Sequence, residues 1–339
     1  MEEYWDEVTE QMEEQVELPE PVFEKKTMKK DVRKVGWGLI FYTLILYGIV
    51  IADMVIRTVI ATIKSPTGEL SEQQIEALAM SMEESAVSMM VGVGIGALFL
   101  WGFLKKQVSV KAMFEERKPM DGRLFFQLLS VFMAVQLVFS WIAGAMEVGL
   151  NMFGYSAMAS IEAATSSSTT ISMFVYASFV APVVEELVYR GFVMGVLRKY
   201  GKVLAIVISS VLFGMMHGNI PQALFAFSVG LVLGYVAEEY SLKWAIAIHM
   251  MNNFVFAEVV ALVGKVFGEN AEAIVNGIVL YGFFLVGTAI YRKNFYKIQQ
   301  YVEKYAGPKV WYRYVLTTLP ILLFIIVNFF IGLIGIQPL

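Results

Sequence analysis

The sequence predicts an all-α fold, a polytopic transmembrane helix bundle of about eight to nine spans with its N-terminus in the cytoplasm. Of its 339 residues, 58% are hydrophobic and only 17% are charged, whereas soluble domains have about 45–50% and about 25%. The mean hydropathy is +0.63. A soluble globule of this size cannot hide that much apolar surface, so we expect the lipid bilayer to cover much of it.

The composition also excludes several kinds of chemistry. Lys and Arg number 26 against 30 Asp and Glu, which leaves no basic excess to hold a phosphate backbone, so no nucleic-acid partner is expected. Cysteine is absent, which removes disulfides, thiolate nucleophiles and cysteine metal sites. The only histidines are His217 and His249, so any imidazole chemistry uses one or both of them.

Four parts follow from the distribution of charged and apolar residues. The first is a cytoplasmic tail that is acidic up to residue 24 and basic after it, and it leads into a retained first span rather than a cleaved signal. The parts are the tail 1–34, the N-terminal spans 35–168, the core spans 169–263 that carry the candidate site, and the C-terminal spans 264–339.

Nine apolar segments could cross the roughly 30 Å hydrocarbon layer. The fifth and sixth are short, and Gly230 and Gly234 on the sixth would let a neighbouring helix approach closely. The segments are 35–63, 86–104, 123–150, 170–197, 203–217, 221–237, 242–263, 273–291 and 314–336.

The loops between these segments differ in charge. Those after the second, fourth, sixth and eighth segments carry Lys or Arg, whereas 151–168 carries none. Because positive loops stay in the cytoplasm, this alternation predicts a cytoplasmic N-terminus and an external C-terminus, in the cell membrane.

The fourth segment carries two adjacent carboxylates, Glu185 and Glu186. Adjacent side chains point in directions about 100° apart around a helix, so the two carboxylates cannot lie on the same face. Glu186 and Arg190 are four residues apart and can form an ion pair, which leaves Glu185 free to point into the bundle. Pro182 should bend the helix beside them. The alternative is a structural salt-bridge cluster, or carboxylates that face water at the cytoplasmic end.

The histidines lie in the next polar-bearing segments. Phe213 and His217 share a face of one helix, and His249 and Asn253 share a face of another. A single membrane histidine is often only a hydrogen-bonding group between helices. Ionisable groups are costly in hydrocarbon, however, and those that occur there tend to be functional.

These side chains would suffice to hydrolyse an amide without a covalent intermediate. A carboxylate and an imidazole that converge on one water make a general base. A second imidazole and a carboxamide can donate hydrogen bonds to the oxygen that becomes negative during attack. No serine lies in the G-x-S-x-G setting of a nucleophile.

The sequences Glu185-Glu186-x-x-x-Arg190, Phe213-x-x-x-His217 and His249-x-x-x-Asn253 resemble the three motifs of the CAAX-protease and bacteriocin-processing intramembrane proteases. This group includes the type II CAAX prenyl proteases, and the resemblance covers about 170–258.

The resemblance implies a glutamate-dependent endopeptidase without a cofactor, acting on a peptide or a membrane-anchored protein. It implies that Glu185 and His217 activate water and that His249 and Asn253 form the oxyanion hole. Glu186 and Arg190 would hold the site in shape, supported by Phe213. The substrate stays open between a prenylated CAAX protein, a pheromone or bacteriocin precursor, and another membrane protein.

Two alternatives remain. One is a zinc peptidase with Glu185, His217 and His249 as ligands, whose residue types suit zinc although the H-E-x-x-H motif is absent. The other is a non-catalytic scaffold or a transporter whose polar groups line a path through the membrane.

Overall fold

Helices make up nearly all of the protein in a computed structural model that describes residues 25–83, 85–165 and 168–339. The acidic tail predicted for 1–24 lies outside these residues. The helices are α1 Lys25–Lys64, α2 Glu72–Glu83, α3 Val87–Leu104, α4 Val110–Phe114, α5 Gly122–Asn151, α6 Met158–Thr165, α7 Ile171–Tyr200, α8 Lys202–Met216, α9 Ile220–Glu239, α10 Leu242–Phe267, α11 Glu269–Tyr305, α12 Lys309–Leu316 and α13 Leu319–Ile334. The strands are β1 Tyr155–Ser156 and β2 Gln337–Pro338.

Within the described residues, seven helices are long and apolar enough to cross a membrane, and an eighth span results if α12 and α13 count as one. The chain is therefore a multi-pass membrane protein, as predicted. The span predicted for 314–336 corresponds to the end of α12 and to α13, and the helix axis bends by 68° between these two helices. The predicted fifth span, α8, has 15 residues and a length of roughly 22 Å, so it is too short to cross the bilayer upright.

Loops rich in Lys and Arg gather at one end of the bundle, which we call the basic face. There Nζ of Lys243 donates to Glu116 at 2.8 Å, and Nζ of Lys202 donates to Glu239 at 2.7 Å. The hydrogen bond from Lys243 lowers the pKa of the Glu116 carboxyl below its usual range. At the other end, β1 pairs with β2, so the C-terminus lies beside the loop that has no Lys or Arg. The basic loops thus lie at one end of the bundle and the loop without Lys or Arg at the other, which agrees with the charge alternation in the sequence.

The spans α7 and α10 depart from regular α-helix. In α7, π-helical turns occupy Tyr176–Val180 and Leu187–Val193, on either side of the paired glutamates. In α10, a π-helical segment covers Met251–Val259. Such turns often mark functional sites. Pro182, where the sequence predicts a bend, lies between these two turns of α7.

The first π-helical turn leaves one backbone carbonyl unpaired. The N–H of Ala181 donates to the carbonyl of Tyr176, five residues back. In the same register, the next residue would donate to the carbonyl of Ala177, but that residue is Pro182 and has no N–H. The Ala177 carbonyl must therefore find another donor.

Helices α8 and α9 approach each other closely at two glycines. A Cβ on Gly230 would lie 3.1 Å from Cβ of Ser210, and one on Gly234 would lie 3.0 Å from Cγ2 of Ile206. The contact predicted for these glycines is confirmed, and it places α8 and α9 against the glutamates of α7.

Candidate active site

A fully buried ion pair lies at the centre of α7. Nη1 of Arg190 donates to Oε1 of Glu186 at 2.9 Å, and both side chains are 0% exposed. The i, i+4 pair predicted from the spacing is confirmed. Separating the two groups would leave an uncompensated charge in the protein interior, which is costly. The ion pair therefore holds both side chains in place.

The same carboxylate binds a histidine from another span. Nδ1 of His249 lies 3.0 Å from Oε1 of Glu186. An ionised carboxylate only accepts hydrogen bonds, so we assign the proton to Nδ1. The imidazole is thereby fixed, with Nε2 3.8 Å from Oε2 of Glu185.

The two adjacent glutamates have different surroundings. The side chain of Glu185 is 18% exposed, whereas that of Glu186 is completely buried. The carboxylate of Glu185 lies in the neighbourhood of the His217 ring and of the hydroxyls of Tyr42 and Tyr176. Glu185 therefore faces the space that α1, α7, α8 and α10 share, which agrees with its predicted orientation into the bundle.

The ring of Phe213 forms the wall of the site. Its centroid lies 4.9 Å from that of His217, 6.0 Å from that of His249 and 5.4 Å from that of Tyr189. The Arg190 guanidinium carbon lies 4.1 Å from the same centroid, a cation–π geometry. Both histidines and the ion pair thus meet on one aromatic side chain.

His217 stands where α8 ends. Its Nδ1 lies 2.8 Å from the carbonyl oxygen of Phe213. Because a carbonyl only accepts, Nδ1 is the donor, and the lone pair of the neutral ring is on Nε2. This tautomer is the one that can accept a proton from water.

Asn253 binds the carbonyl that Pro182 leaves free. Its Nδ2 donates to the Ala177 oxygen at 2.9 Å, and its Oδ1 accepts from Asn252 at 2.9 Å. Within the described residues, no hydrogen bond joins Asn253 to Glu185 or to either histidine. One amide hydrogen of Asn253 remains for another acceptor.

Two tyrosines near Glu185 are missing from the sequence-based site. Tyr42 on α1 is 2% exposed, and Tyr176 begins a π-helical turn of α7. Their phenols interact with the charge of Glu185. Tyr176 lies in the same span as the glutamates, so the sequence could have predicted that it is near them. Nothing in the sequence links Tyr42 to the glutamates.

In the described part of the chain, no group of three or more His, Asp or Glu side chains is placed so that it could hold a metal ion. Glu185, His217 and His249 would have to rearrange before all three could coordinate one zinc ion. His249 also uses Nδ1 on Glu186.

Fold and site together define a multi-pass membrane protein with a buried cluster of carboxylates, a guanidinium and imidazoles. Residues 167–255 match the model of the Rce1-like family, the type II CAAX prenyl endopeptidases. The match covers α7 to most of α10 and includes every predicted site residue. The resemblance seen in the three motifs is confirmed over this segment. No curated protein and no solved structure matches the chain.

Proposed function

We propose that this protein is an intramembrane endopeptidase that hydrolyses a peptide bond of a membrane-associated peptide or protein in the cell membrane. The observation that carries the proposal is the approach of Oε2 of Glu185 to Nε2 of His249, at 3.8 Å, beside His217. The segment that contains these groups is also the one that matches an endopeptidase family.

Glu185 and His217 share the activation of water. Glu185 is the less buried of the two glutamates, and its carboxylate lies 3.8 Å from the His249 imidazole, whereas Glu186 binds a guanidinium at 2.9 Å. A water between its carboxylate and Nε2 of His217 would donate one hydrogen to each. Its oxygen lone pair would then be directed towards a substrate carbonyl.

His249 supplies the positive end of the site. With Nδ1 bound to Glu186, its Nε2 carries a proton only when the ring is an imidazolium. A protonated His249 makes the cluster electrically neutral, since Glu185 and Glu186 then balance Arg190 and His249.

The oxyanion receives hydrogen bonds from His249 and Asn253. Nε2–H of His249 and the second amide hydrogen of Asn253 donate to the carbonyl oxygen as it becomes negative. The hydrogen bond from Nδ2 of Asn253 to the Ala177 carbonyl oxygen fixes the carboxamide in this orientation.

The proposed reaction is the hydrolysis of a peptide bond. Water oxygen bonds to the carbonyl carbon while its proton passes to Glu185, which gives a tetrahedral oxyanion. The C–N bond then breaks as Glu185 transfers that proton to the departing nitrogen. The products are a carboxylic acid and an amine.

The test compares the peptides of cells that carry the intact protein with those of cells that carry Glu185→Gln. Glu258→Gln is the matched control, because Glu258 is a half-buried carboxylate on α10 that accepts from the backbone of Ser168 at 3.2 Å. We expect specific fragments to disappear with Glu185→Gln and to persist with Glu258→Gln. Unchanged fragments in both, at equal expression, would favour a scaffold or transporter.

A further inference from the structure

Asn252, the residue before Asn253 on α10, belongs to none of the three motifs and takes no part in the proposed reaction. Both asparagines lie in the π-helical segment Met251–Val259, and both are partly buried. This segment packs on the first π-helical turn of α7, where the ring centroid of Phe179 lies 5.5 Å from that of Phe254. The two carboxamides therefore lie where α7 and α10 are fixed against each other.

The side chain of Asn252 donates a hydrogen bond to that of Asn253. The distance from Nδ2 of Asn252 to Oδ1 of Asn253 is 2.9 Å. Nδ2 of Asn253 in turn donates to the carbonyl oxygen of Ala177, also at 2.9 Å. The oxygen and the nitrogen of the Asn253 carboxamide thus each have a partner, one on its own helix and one on α7.

These two hydrogen bonds allow one orientation of the Asn253 carboxamide. Rotating the group by half a turn would place its Oδ1 against the Ala177 carbonyl oxygen, so that two acceptors would face each other. The same rotation would bring Nδ2 of Asn253 to Nδ2 of Asn252, so that two donors would meet. With the bond to Ala177 alone, the carboxamide could still tilt about that bond, whereas two partners fix its plane.

Asn252 donates this hydrogen bond although its own oxygen is left over. Its Oδ1 is buried and has no hydrogen-bond partner among the residues that the structure describes. A buried acceptor without a donor destabilises the folded state. Leucine has a similar volume and would avoid this loss, but it could not donate to Asn253. What asparagine contributes at this position is therefore the hydrogen bond to its neighbour.

We infer that Asn252 is a positioning residue of the active site, which orients the Asn253 carboxamide so that its second amide hydrogen is directed to the oxyanion. The inference rests on the proposed hydrolysis, in which Asn253 donates to that oxygen. Asn252 acts only through Asn253 and does not contact the substrate.

A double-mutant cycle on melting temperatures tests the hydrogen bond without any measurement of activity. The full-length variants are Asn252→Leu, Asn253→Ala and the two together, in detergent. In the unaltered protein, Asn252→Leu removes an unpaired oxygen but also loses a hydrogen bond, so we expect little change. In the Asn253→Ala background there is no such bond to lose, and the same substitution should raise the melting temperature by about 2 °C. Equal shifts in both backgrounds would overturn the inference.

Cleavage rates test the positioning itself, on a substrate that the comparison of cellular peptides has identified. We expect Asn252→Leu to lower kcat about tenfold with little change in KM, because it weakens an interaction made in the transition state. A purely structural role would instead lower kcat and the melting temperature together. In the Asn253→Ala background, Asn252→Leu should lower kcat no further. An unchanged kcat in the single variant, or an equal further loss in the double variant, would contradict a role through Asn253.

Asn294→Leu is the matched control, because Asn294 is a partly buried asparagine on α11 whose Nδ2 donates to the Ile290 carbonyl at 2.9 Å. It should leave kcat unchanged, and an equal loss in Asn252→Leu and Asn294→Leu would count against the assignment. Normal cleavage by the unaltered protein together with additive melting temperatures would refute the role of Asn252 alone. If the unaltered protein cleaves no peptide, the proposed hydrolysis fails and the role of Asn252 fails with it.

Discussion

His249 is held by Glu186 rather than by Glu185: its Nδ1 lies 3.0 Å from Oε1 of Glu186, the same oxygen that accepts from Arg190. One carboxylate oxygen therefore joins two spans that are 63 residues apart in sequence. We propose that Glu186 and Arg190 hold the site in shape through this oxygen, because a shift of the ion pair would also move the His249 ring.

The ion pair should matter for stability and for activity in separable ways. Arg190→Met alone leaves the buried charge of Glu186 without its guanidinium partner, and we expect a loss of about 3–5 kcal/mol in the free energy of unfolding. The double variant Glu186→Leu with Arg190→Met removes both charges and should recover most of that loss, yet cleavage should stay low because His249 has lost its anchor. Unfolding in detergent and cleavage rates check this. Full activity in the double variant would contradict the route through His249.

Pro182 and Asn253 should be coupled through the Ala177 carbonyl. Asn253→Ala leaves this carbonyl unpaired and should cost about 1–3 kcal/mol of stability. In a Pro182→Ala background the new backbone N–H can donate to the same oxygen, so the cost of Asn253→Ala should shrink. A double-mutant cycle on unfolding free energies measures the difference.

The same cycle separates two roles of Asn253. If its second amide hydrogen stabilises the oxyanion, kcat should fall about 10²–10³-fold in both backgrounds. Recovery of kcat in the double variant would mean that Asn253 only positions α7 against α10.

Gly230 should be sensitive to a single methyl group. A Cβ there would lie 2.9 Å from Nη2 of Arg190, so Gly230→Ala should displace the guanidinium from Glu186. We expect a loss of about 1–3 kcal/mol in stability together with lower activity. Gly94→Ala on α3 is the control, since a Cβ at Gly94 meets nothing within 4 Å. Equal behaviour of the two variants would contradict the close contact.

Metal removal should not stop cleavage. The water-activating groups in the proposal are a carboxylate and an imidazole, so activity of the purified protein should survive a strong chelator. Elemental analysis of the same sample provides the control. Loss of activity that zinc restores would revive the assignment of Glu185, His217 and His249 as ligands.

Local periodicity is what made much of this protein predictable. The apolar segments and the i, i+4 pairs depend only on residues within one helix. Glu186 and Arg190, predicted as a pair from their spacing, form an ion pair at 2.9 Å. Hydropathy does not predict the end of a helix that continues into a polar sequence. The segment predicted as 273–291 is part of a helix that runs from Glu269 to Tyr305.

Contacts between spans could not be read from the sequence. His217 ends α8, far along the chain from the basic face, whereas His249 stands near the start of α10, close to that face. Both rings nonetheless lie against the ring of Phe213. The π-helical turns in α7 and α10 were not predicted either, since hydropathy and i, i+4 spacing do not distinguish them from regular α-helix.

The most direct measurement is the rate at which the purified protein cleaves a substrate whose fragments the comparison of cellular peptides has identified. The rate of Glu185→Gln is compared with that of Glu258→Gln. The account predicts a fall of about 10²–10⁴-fold for Glu185→Gln, with an unchanged melting temperature, and little change for Glu258→Gln. Undiminished turnover of correctly folded Glu185→Gln would show that this carboxylate does not activate the water.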